Sequence, residues 1–388
     1  MGSVIMLVGT GHLGGPILDR LAASPRVERV AAVGRDARRG EARCNLARLT
    51  AAVAGEPAQL EHHCVDVADP GQVAAAVRRI GPDLVLHAAS LQTWWLLDLF
   101  PEEARAALAP AGYGLWLPLH LALAMTLMEG LAEASYGGVV LNAAYPDVIN
   151  VVLARLGTPP TGGVGNVDEL VAKVRSGAAR KLGVAGRDLD VWLVAHHALQ
   201  RAAFRPSDSS VGASGDEVEV APYHLRVELR GEDVTERARA HEALLAPCEL
   251  PLGPGWGNFT AASGVALVEA VLAETPSRTH APGPGGLPGG YPVDVGGGRI
   301  EVSAVPGLSR AAAVAINELS HGFDGIDGIG EDGTVAFAED ATTVMRDTLG
   351  YDCAMLPPGD VAGRAAELAA RFREYAARHG IDLRLAVR

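Results

Sequence analysis

The sequence of 388 residues is poor in cysteine and contains only four. They are scattered, and no two are spaced as a C-x-x-C pair: Cys44, Cys64, Cys248 and Cys353. This pattern indicates neither a zinc knuckle nor a disulfide framework. We expect buried, reduced thiols.

Positive charge is also in short supply. The chain has 33 Lys and Arg against 46 Asp and Glu, a formal net charge of −13. Nucleic acids and anionic membrane surfaces are bound through basic patches, so this balance disfavours both as partners. A small molecule is the expected partner.

Long hydrophobic runs and an export signal are not expected either. No apolar run is expected to reach the roughly 18 residues that span a bilayer, and the N-terminal hydrophobic stretch lacks a basic flank. These features predict a cytoplasmic protein. The length and the 48% hydrophobic content fit a globular chain with two sizeable cores.

The most informative feature that is present is a glycine-rich motif near the N-terminus. An apolar run at residues 4–8 leads into it, and a helical pattern at 16–21 follows: Gly9, Thr10, Gly11, His12, Leu13 and Gly14. A strand, a glycine-rich turn and a helix in this order offer backbone N–H groups to a pyrophosphate. Gly9 permits the turn, Gly11 lets the backbone approach the phosphates, and Gly14 lets the helix pack closely. The motif predicts a bound dinucleotide.

Strand and helix patterns alternate after this motif. The predicted strands are at 27–33, 60–65, 83–89 and 138–142, and the helices at 37–54, 71–80 and 119–134. Alternation predicts an α/β fold, a Rossmann-type doubly wound parallel sheet over residues 1–155. Residues 156–388 read as an α+β substrate domain, with helices at 167–182 and 361–378, strands at 189–197 and 223–229, and a polar loop at 207–215.

The end of the second strand bears on the choice of nicotinamide cofactor. An acidic side chain there bonds the ribose of NAD, whereas the 2′-phosphate of NADP needs room and positive charge. Gly34 stands at the acidic position, and Arg35 is suited to pair with a phosphate. This favours NADP. The alternative is that Asp36 takes the ribose of NAD. Further predicted cofactor contacts lie at the ends of later strands: Ala88, Ala89 and Asn142.

His196 and His197 end the strand predicted at 189–197. Successive strand residues face opposite sides, so only one of these rings is expected to face the cleft. A histidine in a cleft is a suitable proton donor to a carbonyl, and Asp168 on the preceding helix is the best-placed carboxylate partner. The alternative is an ordinary structural histidine.

The order and spacing of these segments resemble the lactate/malate dehydrogenase superfamily, of which the chain looks like a divergent member. The likeness is carried by residues 9–14, 39–48, 86–90, 142–153, 165–168 and the strand end at His197, and it continues through 258–260 and 289–293. It implies that His197 is the catalytic histidine and Asp168 its partner. It also implies that Asn142 lies near the nicotinamide and that Thr260 lines the pocket.

Two departures from that family concern the substrate. The family clamps a 2-oxo acid carboxylate with an arginine three residues beyond the aspartate, and this chain has Val171 there. Lys173 or Arg175 could take that role. The loop over the site contains Gln92, Trp94 and Trp95, which suggests a bulky or less charged substrate. The tryptophans could equally pack the loop onto the core.

Two further expectations concern metals and assembly. The acidic segment at 322–330 does not match the ligand spacing of a calcium loop, so it reads as hairpin turns and no metal is expected. The resemblance implies that the helix at 40–53 lies at a subunit interface, which predicts a homodimer or homotetramer.

Together these features predict an NADP-dependent oxidoreductase. It would move a hydride between the nicotinamide and a carbonyl or secondary alcohol, such as a 2-oxo or 2-hydroxy acid or a bulkier ketone, with His197 as general acid or base. Two alternatives stay open. One is a dinucleotide-binding sensor or scaffold without turnover, and the other is an opine-type dehydrogenase that carries out reductive amination.

Overall fold

The N-terminal half forms a six-stranded parallel sheet in the strand order β3-β2-β1-β4-β5-β6. The computed structural model describes residues 2–205, 219–251 and 253–383, so the polar loop predicted at 207–215 lies outside the described residues. The strands are β1 (Ser3–Val8), β2 (Val27–Gly34), β3 (Gln59–Cys64), β4 (Leu84–His87), β5 (Val139–Asn142) and β6 (Gly162–Gly163). The predicted doubly wound sheet is confirmed.

Six helices accompany this sheet: α1 (Gly14–Ala22), α2 (Ala37–Ala54), α3 (Pro70–Ile80), α4 (Glu102–Leu108), α5 (Leu117–Glu133) and α6 (Pro146–Arg155). Two of them begin at aspartate caps. Asp36 accepts a hydrogen bond from the Arg39 amide at the start of α2, and Asp69 accepts one from the Gln72 amide at the start of α3. The central strands β1, β4 and β5 are buried over most of their length, which is why their apolar runs are nearly continuous.

The second half is built on an antiparallel sheet in the order β10-β11-β7-β8-β9, with β12 paired to β11. Its elements are α7 (Val167–Leu182), β7 (Leu189–Ala195), α8 (Gln200–Ala203), β8 (Tyr223–Leu229), β9 (Glu232–Asp233), α9 (Ala240–Leu245), α10 (Gly257–Leu272), β10 (Ser277–Pro282), β11 (Gly290–Gly296), β12 (Arg299–Val302) and α11 (Arg310–Leu319). The strand predicted to reach residue 197 ends two residues earlier, at Ala195.

The C-terminal segment packs against the N-terminal half of the chain. A small antiparallel sheet and two helices form it: β13 (Ile326–Ile329), β14 (Val335–Phe337), α12 (Glu339–Leu349), β15 (Met355–Leu356) and α13 (Val361–Arg378). The helix α13 packs against α5, and one apolar cluster contains residues of both halves. The division of the chain at residues 155 and 156 stays a prediction.

The segment Gly114–Glu133, which contains α5, is long and apolar enough to cross a membrane by length and composition, with a mean hydropathy of 1.4 over its most apolar stretch. The expectation that no such run exists is therefore wrong. However, 67% of that stretch is buried inside the protein. A mostly buried apolar helix is what a protein core contains, so one such segment is weak evidence for a membrane span.

All four cysteines are free thiols, in line with the absence of paired spacing. Cys44 and Cys353 are buried, as expected. Cys64 is exposed and Cys248 is half-buried, so the expectation of burial is wrong for these two. Cys64 is the last residue of β3, an edge strand, which leaves its side chain open to solvent.

Candidate active site

The glycine-rich loop joins β1 to α1 at the carboxyl edge of the parallel sheet. Gly9 has a φ of +93°, which only glycine adopts without strain. A Cβ on Gly14 would lie 1.8 Å from the Gly9 carbonyl oxygen, so helix and turn pack too closely for any side chain. Gly11 is exposed, and a Cβ built on it would meet nothing within 4 Å. A side chain at position 9 or 14 would therefore collide with neighbouring atoms, whereas the space in front of Gly11 is free.

The neighbouring strand end, at the tip of β2, lies beside this loop. A Cβ on Gly34 would lie 3.9 Å from the Thr10 hydroxyl oxygen. Arg35 and Asp36 are both exposed. The Asp36 carboxylate caps α2, where it accepts the Arg39 amide proton at 2.9 Å. One oxygen of the only acidic side chain at this strand end is therefore already engaged.

His196 and His197 both approach one carboxylate, that of Asp324. The distance from Nδ1 to Oδ2 is 3.0 Å for His197 and 3.7 Å for His196. The expectation that the two rings face opposite sides is wrong, because the strand ends at Ala195 and strand alternation stops there. The side chain of His196 is fully buried, whereas that of His197 is 15% exposed. His197 is the ring that a ligand can reach.

The carboxylate beside His197 is Asp324 rather than Asp168. Asp324 ends a 3-10 turn after α11, and its Oδ2 also accepts a hydrogen bond of 2.7 Å from the Tyr145 hydroxyl. Asp168 makes a hydrogen bond with Ser263 instead. The sequence offered no signal for Asp324, because it lies far along the chain in a segment read as hairpin turns.

Burial and charge act against each other on this pair. Burial would lower the pKa of His197, but the nearby Asp324 carboxylate outweighs burial and holds that pKa above its usual value. Burial would raise the pKa of Asp324, but the charge of His197 brings it down to about 2. Burial lowers the pKa of His196 well below its usual value. Asp324 is therefore ionised at neutral pH, its charge favours the protonated form of His197, and His196 beside them is a neutral imidazole.

Two further interactions hold His197 in place. Its backbone N–H donates a hydrogen bond of 3.0 Å to Asp147, which lies in the first turn of α6. Its ring contacts those of Tyr145 and Tyr113, with centroid distances of 4.9 Å and 5.3 Å, and the two tyrosine rings also contact each other at 4.8 Å. The Tyr113 hydroxyl in turn lies 2.9 Å from Nε2 of His120. The imidazole is thus fixed by its backbone, its flanking rings and its counter-ion.

No protein-family model matches the chain, and no curated protein matches it. Solved structures do. A lactate dehydrogenase from Eimeria maxima with NADH and oxamate has 13% identity and a TM-score of 0.55, over 83% of this chain and 92% of that one. A minor L-lactate dehydrogenase from Enterococcus mundtii has 15% identity and a TM-score of 0.53, over 83% and 96%. A malate dehydrogenase from Cryptosporidium parvum has 15% identity and a TM-score of 0.52, over 84% and 97%.

The chain has the lactate and malate dehydrogenase fold. The resemblance inferred from the motifs is confirmed at this level, since the likeness covers most of the chain on both sides of the comparison. Identities this low carry the architecture and not the chemistry. The role that the resemblance implies for each residue therefore depends on the contacts which that residue makes in this fold.

Asn142 and Lys173 are saturated by hydrogen bonds within the protein. The Asn142 amide group donates to the Ala144 carbonyl and to Asn150, and its oxygen accepts the Ala144 amide proton. The Lys173 ammonium donates to three backbone carbonyls, those of Ala203, Leu244 and Ala246. The structure therefore gives both side chains a structural role, contrary to the predicted contacts with nicotinamide and substrate.

The remaining members of the predicted clamp also lie apart from His197. Val171 is fully buried in the apolar core of the second half. Arg175 packs its side chain over Gly186 and faces Asp168. Neither places a guanidinium beside His197. The exposed Arg201 lies near enough to His197 for its charge to act on the pKa of that ring.

The Thr260 hydroxyl contacts the buried carboxyl group of Glu169, which was not among the site residues predicted from the sequence. The hydroxyl donates 2.6 Å to Glu169, which also accepts hydrogen bonds from the indole N–H of Trp256 and the amide of Gln200. Burial is the largest influence on Glu169 and raises its pKa to about 7 despite these three donors. Glu169 did not stand out in the sequence because it follows Asp168 in the first turn of α7, a helix with several other charged residues.

The loop that follows β4 folds into a 3-10 helix, Trp94–Leu99. Trp95 is buried against the ring of His12, while Trp94 meets Trp256 edge-on and stays 39% exposed. Between this helix and α5 lies a cavity of about 10 Å³, which holds about one water. Gln92, Trp94, Tyr113 and His120 are among the residues that line it. Trp95 therefore packs the loop onto the core, whereas a substrate contact of Trp94 stays a prediction.

Proposed function

We propose that this protein is a nicotinamide-dependent oxidoreductase that acts on a carbonyl or secondary alcohol. The observation that carries the proposal is the His197–Asp324 pair. Tyr145, which contacts both of its members, follows the carboxyl end of β5 by three residues. The glycine-rich loop follows the carboxyl end of β1 in the same parallel sheet. Dinucleotides bind at that edge of such sheets, where the strand order reverses.

The glycine-rich loop fits a dinucleotide. The backbone of Thr10, Gly11, His12 and Leu13 would hold the pyrophosphate, because nothing occupies the space in front of Gly11 and the loop leads into the N-terminus of α1. Gly9 rests against Ala88 and Ala89, whose small side chains leave room at this edge. A bound nicotinamide supplies or takes up the hydride.

NADP is the preferred cofactor in this proposal, with NAD as the competing choice. Gly34 leaves room beside Thr10, Arg35 is exposed and cationic, and Asp36 is engaged as a helix cap. These features support a 2′-phosphate over a bare ribose. The lactate dehydrogenase from Eimeria maxima was solved with NADH, which is why both cofactors must be compared.

His197 would exchange the proton. Its Nδ1 faces Asp324, which leaves Nε2 to donate a proton to the substrate oxygen during reduction and to accept one during oxidation. Asp324 stabilises the charged ring and is itself held by the Tyr145 hydroxyl. Asp147 fixes the His197 backbone, so the imidazole meets the substrate in one orientation.

The substrate is proposed to be less anionic than a simple 2-oxo acid. The position of the family's arginine clamp is taken by the buried Val171, and the ammonium of Lys173 is used up by backbone carbonyls. A ketone or aldehyde that needs no cationic clamp fits this arrangement better. Trp94, which is 39% exposed, and Tyr113, whose ring contacts that of His197, would contact its apolar part.

A second copy of the chain is the proposed subunit partner. Leu46, Leu49 and Val53 lie on one face of α2 and are 58%, 68% and 89% exposed. Their spacing of three and four residues places them in one stripe. Exposed apolar stripes of this kind mark interaction surfaces, and α2 is the helix that the family resemblance implies at a subunit interface.

Turnover tests the proposal. Loss of NADPH or NADH absorbance would be followed with ketones, aldehydes and 2-oxo acids, with and without an added amine. His197→Asn should reduce kcat on any substrate found by about 100-fold or more, the usual contribution of a general acid, with dinucleotide affinity unchanged. His241→Asn, a change to an exposed histidine, is the control. Full activity of His197→Asn would refute the assignment, and dinucleotide binding without any turnover would favour a sensor.

A further inference from the structure

The buried carboxyl group of Glu169 joins three segments of the second half of the chain. The side-chain amide of Gln200 in α8 donates to it at 2.7 Å, and the Thr260 hydroxyl in α10 donates at 2.6 Å. The third donor is the indole N–H of Trp256, at 3.2 Å, from the 3-10 turn that precedes α10. A buried carboxyl group is costly unless its hydrogen bonds are made, so Glu169 restrains all three segments.

Gln200 connects Glu169 to the segment that carries His197. The two consecutive helical turns His197–Leu199 and Gln200–Ala203 form this segment, which we call the His197 turn. Nε2 of Gln200 donates to Glu169 and also, at 3.3 Å, to the backbone carbonyl of Asn166. An amide nitrogen carries two protons. Both donors of Gln200 are therefore used to hold the His197 turn against the start of α7.

Asn166 closes this connection into a ring of contacts. Its side chain donates to one carboxylate oxygen of Asp147, and the other oxygen accepts the backbone N–H of His197. Asn166 has a φ of +50°, which is uncommon for a residue other than glycine and persists only where neighbouring contacts impose it. The ring runs through the four residues His197, Asp147, Asn166 and Gln200, and Glu169 holds it at Gln200.

Trp256 connects Glu169 to the 3-10 helix that follows β4. The rings of Trp256 and Trp94 meet edge-on, with their centroids 6.0 Å apart. A backbone contact reinforces this one, because the N–H of Gly253, in the same 3-10 turn as Trp256, donates to Asp98 at 2.7 Å. The position of this 3-10 helix therefore depends on the turn that Glu169 holds through the indole N–H.

We propose that Glu169 is a positioning residue that holds the His197 turn and the 3-10 helix after β4 in one arrangement. The first segment carries the imidazole that would exchange the proton, and the second carries the exposed Trp94. Fixing both before the substrate arrives removes unproductive orientations of the reacting groups. The catalytic consequence rests on the proposed function, whereas the coupling of the two segments through Glu169 does not.

Amide hydrogen exchange of the whole protein, measured by mass spectrometry on peptides that contain residues 94–99 and 197–203, tests the coupling without a substrate. Glu169→Leu removes the shared acceptor and should speed exchange in both peptides by about fivefold or more. Gln200→Met should speed exchange in 197–203 alone, and Trp256→Phe in 94–99 alone. Glu169→Gln keeps an acceptor oxygen and should resemble the wild type.

Two results of the exchange experiment would overturn the proposal. One is unchanged exchange in 197–203 in both Glu169→Leu and Gln200→Met, and the other is a uniform rise over the whole chain, which indicates general destabilisation. If Glu169→Leu does not fold, Gln200→Met and Trp256→Phe decide, and unchanged exchange in both overturns the proposal. Gln59→Met, at an exposed glutamine of β3, is the control and should change neither peptide.

Steady-state kinetics on any substrate found test the catalytic consequence. Gln200→Met should lower kcat by about fivefold or more with dinucleotide affinity unchanged, and Glu169→Gln should keep most of the kcat that Glu169→Leu loses. Equal kcat values in the wild type, Gln200→Met and Glu169→Leu would overturn the proposal. The expected exchange pattern without any turnover would support the coupling and count against the proposed function. Turnover with unchanged exchange would overturn this inference alone.

Discussion

The buried Glu169 makes the protein's stability depend on pH in a way that one substitution should remove. Burial raises the pKa of Glu169 from 4.5 to about 7. A carboxyl group whose pKa is raised by folding stabilises the folded state fully below the pKa it has in the unfolded chain. That contribution is lost as the pH rises through the folded pKa. A shift of this size corresponds to about 3 kcal/mol between about pH 4.5 and pH 7.

Glu169→Gln should abolish this loss while keeping the hydrogen bonds. Trp256 and Gln200 both donate to Oε2, which the glutamine oxygen replaces. Thr260 faces Oε1, where its hydroxyl can turn from donor to acceptor for the new NH₂ group. Relative to the wild type, the free energy of unfolding of the variant should therefore rise by about 3 kcal/mol from about pH 5 to pH 8.

Urea unfolding at several pH values measures this difference. Subtracting the wild-type free energy of unfolding from that of the variant at each pH cancels the contributions of all other carboxyl groups. Glu56→Gln, at an exposed position, is the matched control and should show no such trend. A variant and wild type that keep the same difference in stability from about pH 5 to pH 8 would refute the reasoning about Glu169.

Three further predictions concern the site and the assembly. Arg35→Ala should weaken NADPH binding by about tenfold or more, the effect of a lost charge-assisted contact, and leave NADH binding unchanged; equal losses in fluorescence titrations would contradict the NADP assignment. Asp324→Asn should lower kcat by at least about tenfold, because the His197 ring loses its counter-ion, whereas Asp168→Asn should leave kcat near the wild-type value. A larger loss of kcat in Asp168→Asn than in Asp324→Asn, measured in steady-state assays, would show that Asp168 is the partner of His197, as the sequence predicted. Leu49→Lys should convert a dimer into a monomer in analytical ultracentrifugation, and an unchanged sedimentation coefficient would exclude α2 as the interface.

The parallel sheet was predictable because its signals are local. Apolar runs, the glycine-rich turn and helical periodicity all act within some twenty residues, and the terminal helix has the bounds predicted for it, Val361–Arg378. The resemblance to lactate and malate dehydrogenases rested on the order of these same segments. It therefore predicted the fold even though individual motifs were weak.

The chemistry of the site was less predictable because it depends on distant contacts. His197 and Asp324 meet only when the turn after α11 folds against the end of β7. Asn142 and Lys173 looked available in the sequence, but backbone carbonyls and a neighbouring asparagine consume their hydrogen bonds. Spacing along the chain carries no information about such partners.

Binding of a dinucleotide at the glycine-rich loop is the central claim, and one pair of variants tests it directly. Gly11→Val adds a side chain where the structure has open space and an ordinary backbone, so the fold should survive while the pyrophosphate is kept away. Gly363→Val makes the same change at an exposed site of α13 where a Cβ also meets nothing. In fluorescence titrations with NADPH and NADH, the wild type and Gly363→Val should bind at least one cofactor equally well, and Gly11→Val should bind it about tenfold or more weakly. Equal binding by all three proteins, or no binding by the wild type, would contradict the claim.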